Sequence, residues 1–254
     1  MFKTGLVSIS FRNLSPEEII EKVVLAGLNG IEWGGDVHVP TGDIDTAVKV
    51  GKSTRTHGLE VSAYGSYYRV GCHRRDAEER FDQVLRTAAA LGAPIVRVWA
   101  YNKGSADITV DEYNYFIEDA RSICKRAKAK GIKVAFECHN NTLTDDYIYA
   151  QRMLSDIDEA FMYWQPNQYR DDEYNLKAVE ALLPWITNVH VFHWTEREKL
   201  PLCKGATLWE KYLNILKKSG QKHTLELEFM PDGKIETLTK EAETLKCLVA
   251  GRQN

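Results

Sequence analysis

Short apolar runs of strand length alternate with longer amphipathic stretches along this chain, and the alternation repeats eight times. That pattern demands βα units around a parallel sheet, since a strand buried on both faces reads as a continuous apolar run and its crossover as a helix. Strands are expected at Lys3 to Ser10, Gly30 to Trp33, Leu59 to Tyr64, Pro94 to Trp99, Ile132 to Glu137, Ala160 to Trp164, Val189 to His193 and Thr224 to Phe229. The helices between them begin at Pro16, capped by Ser15 with acids in the first turn, and then run from about Asp43 to His57, Arg74 to Leu91, Val110 to Lys130, Thr144 to Leu154, Asp172 to Leu183, Leu208 to Lys218 and Ile235 to Val249. Gly27, Gly58, Gly92, Gly131 and Gly220 supply left-handed stops. Eight units are the number that closes a (β/α)8 TIM barrel, and 254 residues is its typical size. No Gly, Pro or Ser-rich linker interrupts the pattern, so residues 1–254 are expected to form one domain of the α/β class.

Composition narrows the function classes. With 44% hydrophobic and 27% charged residues the chain resembles an ordinary globular protein, and a net charge of -3 gives no electrostatic footprint for nucleic acid or a membrane surface. The cysteines Cys72, Cys124, Cys138, Cys203 and Cys247 are odd in number and include no CxxC pair, so they suggest neither a disulfide framework nor a cysteine zinc site. They fit a reducing cytosol. The opening residues Met1 to Leu6 run straight into a strand, and no run approaches the roughly 18 apolar residues of a membrane span, so the expected location is cytoplasmic.

Strand phase locates the chemistry. Alternate residues face the helices, and Ile31, Val61, Val96, Val98, Val134, Phe136, Leu225 and Leu227 form that apolar set. The opposite phase points Ser8, Ser10, Glu32, Ser62, Tyr64, Arg97, Trp99, Glu137, His139, Tyr163, Gln165, His190, Glu226 and Glu228 into the lumen, mostly at the C-terminal strand ends where βα loops converge. Each has a plainer reading: Arg97 as a counter-ion for Glu32 or Glu137, His190 as a hydrogen-bonded core residue, Trp99 and Tyr64 as wall. Glu137, His190 and Glu228 meeting from three strands would cost several kcal/mol in desolvation without a cation, which makes a divalent metal the economical explanation. Glu228 is preferred to Glu226 because it lies two residues nearer the mouth, and Glu226 is then expected to pair with Arg97 or Lys3.

The set Glu137, His190 and Glu228, with the stretches Asn29 to Pro40, Tyr64 to Arg69 and Leu227 to Phe229, resembles the sugar phosphate isomerase/epimerase family of xylose isomerase-like barrels over essentially the whole chain. The resemblance implies a metal held by Glu, Asp, His and Glu from the last four strands, with the two glutamates also moving a proton beside a sugar carbonyl. Glu137, His190 and Glu228 match three of these positions, and Gln165 stands where the family carries Asp. A Gln carbonyl binds Mn²⁺ or Mg²⁺ without adding negative charge, so weaker binding is expected; Zn²⁺ is the third candidate ion.

The implied activity is metal-assisted isomerisation or epimerisation of a small carbohydrate, with Glu137 and Glu228 as acid and base. Substrate contacts are expected from His38, Tyr64, Tyr68, Arg97, Trp99, His139, Gln168, Trp194 and Lys204, with Arg69 and Asn140 as further candidates. A dehydratase or lyase acting on a sugar acid or keto-inositol would use the same enolate chemistry, and a barrel that binds carbohydrate without turnover is a third reading. The related abasic-site endonucleases would need extra His and Asp ligands and a basic surface, against the acidic balance here. A dimer is common for such barrels, so a homodimer is the assembly the resemblance implies.

Overall fold

The computed structural model describes residues 2–251, which close into a parallel barrel. Its strands are β1 (Phe2–Val7), β2 (Gly30–Gly34), β3 (Glu60–Val70), β4 (Ile95–Ala100), β5 (Lys133–Glu137), β6 (Ala160–Trp164), β7 (Ile186–Val191) and β8 (His223–Leu227). Each strand pairs with its neighbours in the sequence, and β8 returns to pair with β1, so no edge is left open. The helices α1 (Pro16–Leu25), α2 (Ile44–Thr56), α3 (Ala77–Leu91), α4 (Val110–Lys128), α5 (Tyr147–Ser155), α6 (Asp172–Leu182), α7 (Ala206–Lys217) and α8 (Leu238–Ala250) alternate with them.

Local chemistry sets the boundaries. Ser15 and Glu18 form a reciprocal capping box ahead of α1, and Thr109 and Glu112 do the same ahead of α4. Helix α3 ends on Gly92 at φ 79°, a left-handed stop. The helix-facing apolar set is where strand phase put it: Ile31, Val61, Val96, Val98, Val134, Phe136, Leu225 and Leu227 are buried in the large core between barrel and helices. A small second cluster of Ala63, Ile95, Ala135 and Tyr163 fills the lumen.

Three departures from the sequence expectation matter for the site. Strand β1 stops at Val7, because Ser8 to Phe11 wind into a 3-10 turn rather than continuing to Ser10. Strand β7 occupies 186–191 rather than 189–193, and His193–Trp194 instead pair with Lys199–Leu200 in a small antiparallel hairpin. Strand β3 extends to Val70 and carries an irregularity: Ile31 pairs with Val61 but Glu32 pairs with Ala63, so one extra residue is inserted on β3. Ser62 and Ala63 therefore both face the lumen, and the phase beyond them is inverted.

Candidate metal and acid/base centre

The inverted phase decides what β3 contributes. Tyr64, expected to face the lumen, lies in the helix layer instead, where its hydroxyl meets Val39 O at 3.0 Å and Thr41 Oγ1 at 2.7 Å. Gly65 takes the inward position, and a Cβ there would come within 2.6 Å of both Arg97 Nη2 and Glu32 Oε1. Only glycine leaves room for that ion pair beneath the mouth.

Arg97 organises the middle of the lumen. Its Nε lies 2.7 Å from Glu32 Oε1, and Nη1 bonds Glu137 Oε2, which also accepts from the Trp99 indole. At 2% exposure and with both partners buried, Arg97 serves as an internal counter-ion whose guanidinium is already engaged by two carboxylates. Burial works against the charge on Glu137, but Arg97 and then His190 outweigh it and hold the carboxyl well below the usual carboxylate range.

Above Arg97 the expected ligand set comes together. One donor atom each from Glu137, His190 and Glu228 lie within 4.8 Å of one another. His190 turns Nδ1 toward this group, 2.8 Å from Gln165 Oε1, 3.5 Å from Glu137 Oε1 and 3.7 Å from Glu228 Oε2. Its other nitrogen, Nε2, lies 3.1 Å from Glu32 Oε2, so a buried carboxylate fixes the ring from behind. Burial disfavours the imidazolium, yet Glu228 and Glu32 overcome that and push the His190 pKa up to about 10. Glu228 differs from Glu137: among the described residues no side chain donates to it, and burial leads in raising its carboxyl. The donor set, two carboxylates, one imidazole nitrogen and one amide oxygen, suits a divalent ion of the Mn²⁺, Mg²⁺ or Zn²⁺ type.

A second group, Glu32, His190 and Glu226, also lies within 4.8 Å, but its members have other duties. Glu226 accepts from Ser62 Oγ and Tyr163 Oη, and Asn188 Nδ2 reaches the same Tyr163 oxygen at 3.1 Å. It does not pair with Arg97 or Lys3, as expected from sequence; Lys3 instead bonds Glu60 at 2.6 Å. Burial and then the nearby Glu32 charge hold Glu226 well above the carboxylate range.

The loop residues divide. His139 stacks near Trp99 with ring centres 5.0 Å apart, Gln168 lines the adjoining cleft with His139 and Gln165, and Trp194 stacks on Phe192 at 3.9 Å beside Phe229. His38 does not reach the site: Nδ1 meets Ser8 Oγ at 3.0 Å and Nε2 meets Leu14 O at 3.2 Å, so both nitrogens tie down the β1 loop. Tyr68 packs on Phe81 with its hydroxyl on Ala77 O, and Lys204 is exposed in the turn before α7. Tyr67 occupies the place expected of Tyr68. With φ 57° its ring comes edge-on to Trp99 at 5.4 Å and over Arg97 at 5.6 Å, and its hydroxyl accepts from Arg12 Nη2 at 3.1 Å. No periodicity in the sequence signals that turn of the backbone.

Residues 20–248 match the family model described as a xylose isomerase-like TIM barrel. The chain belongs to that family. A curated relative, the 3-dehydroshikimate dehydratase of Bacillus anthracis, is 26% identical over 203 residues, 74% of this chain and 70% of the relative. The crystal structure of a probable 3-DHS dehydratase from the same organism superposes with a TM-score of 0.79 at 20% identity, covering 97% of this chain and 99% of that one. A D-psicose 3-epimerase from Clostridium cellulolyticum H10 superposes at 0.74 and 13% identity, covering 98% of both chains. Those relatives are enzymes, and at such identities the structural likeness speaks for the barrel alone. No helix among the described residues is long and apolar enough to cross a membrane.

Proposed function

We propose that this barrel is a metal-assisted isomerase or epimerase of a small sugar or sugar derivative. The observation that carries the reading is the meeting of Glu137, Gln165, His190 and Glu228, from or just beyond β5, β6, β7 and β8, around one point at the mouth. A divalent cation bound by these four would supply Lewis-acid polarisation of a carbonyl and its neighbouring hydroxyl.

The chain's own residues account for the remaining steps. Glu32 orients His190 from behind, and Arg97 with Trp99 pins Oε2 of Glu137 so that Oε1 faces the centre. Glu228, free of donors among the described side chains, takes the proton from the carbon next to the carbonyl. Return of that proton by Glu228 to the adjacent carbon on the same face, with the hydroxyl proton passing to the former carbonyl oxygen, gives isomerisation; release of the Glu228 proton to solvent, with a solvent proton delivered past Glu137 to the opposite face of the same carbon, gives epimerisation. Trp99, His139, Gln168 and Trp194 form the wall against which a sugar ring would lie.

A dehydratase is the second reading, favoured by the dehydratase relative. The same proton abstraction would then expel a hydroxyl from the next carbon. Incubating Mn²⁺-loaded protein with small ketoses and hydroxy-ketoacids in D2O tests both. Deuterium incorporation without water loss, abolished in Glu228→Gln, supports the isomerase or epimerase. Water loss supports the dehydratase, and exchange that survives in Glu228→Gln removes that residue from the mechanism.

A further inference from the structure

Arg97, Arg12, Arg69 and Lys199 stand beside the site residues, and the first two are already paired. Arg97 is held by Glu32 and Glu137, and Arg12 by Asp36 at 2.8 Å and the Tyr67 hydroxyl. Arg69 and Lys199 have no carboxylate within 4.0 Å among the described residues; each lies over an aromatic ring beside one of the two site glutamates. The Arg69 guanidinium carbon is 4.3 Å from the centre of the Trp99 ring, whose N–H donates to Glu137. Lys199 Nζ is 4.2 Å from the centre of the ring of Phe229, the residue following Glu228.

Arg69 is the more fixed of the pair. It is half-buried, its plane is held at the indole, and Nη1 donates to Tyr101 O at 3.1 Å. Tyr101 itself has φ 66°, a conformation a bulky residue adopts only when its surroundings hold it, here through its own N–H on Val70 O at 3.1 Å. The strained turn thus presents a carbonyl that anchors one guanidinium nitrogen, while Nε and Nη2 donate to no protein partner among the described residues. A free two-nitrogen fork on a rigid support matches the two coplanar oxygens of a carboxylate.

We propose that Arg69 recognises a carboxylate on the substrate, so that the compound handled here is a polyhydroxylated acid rather than a neutral sugar. The inference rests on the metal-assisted reading above, with Glu137 and Glu228 working at one end of the ligand and Arg69 gripping the other. Lys199 adds positive potential from the opposite lip of the mouth.

Calorimetric titration of the Mn²⁺-loaded full chain with D-glucuronate and with its uncharged amide, D-glucuronamide, isolates the charge. The expected result is tighter binding of the acid by on the order of 10- to 100-fold, the range of a charge-assisted hydrogen-bonded pair. Arg69→Gln should remove that preference and leave the amide's affinity unchanged, and Arg69→Lys should restore only part of it, because the charge returns without the fork. Equal binding of acid and amide, or equal weakening of both in Arg69→Gln with an unchanged melting temperature, overturns the proposal while leaving the metal-assisted reading intact. Glucose 6-phosphate binding more tightly than the acid, with Arg69→Lys fully active toward it, overturns carboxylate recognition in favour of phosphate. Failure of Mn²⁺ to bind, with neither sugar retained, overturns both readings together.

Discussion

Glu226 and Glu228 lie two residues apart at the end of β8, both buried and both turned into the lumen, and their surroundings differ in a way that separates floor from mouth. On the floor, Glu226 is closed off by Ser62, Tyr163 and Asn188 and sits beside the apolar Ala63, Ile95 and Ala135. At the mouth, Glu228 faces His190 across 3.7 Å with no side-chain donor among the described residues, and Gln165 and Glu137 complete an open ring. A carboxyl whose two oxygens are both taken by neighbouring hydroxyls is a packing element. Two buried carboxylates and an amide oxygen converging on one imidazole are costly unless enough positive charge sits among them. Arg97 and Glu32 lie between these layers and keep them distinct, one fixing Glu137 and the other fixing His190.

The largest effect should follow from removing the divider. Arg97→Met leaves Glu32 and Glu137 as buried carboxylates without their counter-ion, and an expected loss of about 3–5 kcal/mol would be read by urea unfolding. Mn²⁺ should recover part of that loss, because Glu137 regains a positive partner at the mouth. A variant as stable as the parent would mean that the lumen does not need its internal cation.

Next comes the direct contrast. Glu228→Gln should weaken Mn²⁺ binding by at least the roughly 10- to 100-fold seen when even outer partners of a metal site are lost. Glu226→Gln should leave it unchanged, and equal losses in the two variants would erase the distinction between floor and mouth. The pH dependence sharpens the same comparison. The folded protein holds the Glu226 proton well above the carboxylate range, so its stabilising contribution is complete below the unfolded pKa and is lost as pH rises toward the folded one. Wild type should therefore lose stability relative to Glu226→Gln from about pH 5 upward in thermal melts, whereas a constant difference would mean that the carboxyl is ionised.

The smallest effect concerns a residue outside both layers. Tyr64→Phe removes hydrogen bonds to Val39 and Thr41 and should cost about 1 kcal/mol, with Mn²⁺ affinity and sugar binding unchanged. Any change in metal affinity would return Tyr64 to the lumen.

What the sequence made legible follows from which signals are local. Ser15-Pro16 with Glu18, and Gly92 after an apolar helix face, mark helix ends through chemistry contained within a few residues. The period-2 phase placed Glu32, Arg97, Glu137, His190, Glu226 and Glu228 in the lumen because each could be counted from apolar neighbours one residue away, and the register shift on β7 falls before Asn188, on the far side from the mouth. The extra residue at Ser62 and Ala63 has no sequence signature, and it moved every later side chain of β3: Tyr64 left the lumen and Gly65 entered it. Tyr67 escaped for a related reason, since its left-handed backbone is imposed by the neighbouring loops rather than by its own type. His38 illustrates a third case, a loop histidine whose two nitrogens are both taken by Ser8 and Leu14. Arg97 was visible as a counter-ion, but its simultaneous hold on Glu32 and Glu137 depends on strands β2 and β5 flanking it at a distance only the closed barrel defines.

Anomalous diffraction from crystals grown with Mn²⁺ tests the central claim most directly. A single strong peak bonded to Glu137, Gln165, His190 Nδ1 and Glu228, with Glu226 still bound to Ser62 and Tyr163, is the predicted result. An ion seated on Glu226 and Glu32 instead, or a mouth that stays empty at millimolar Mn²⁺, would contradict it.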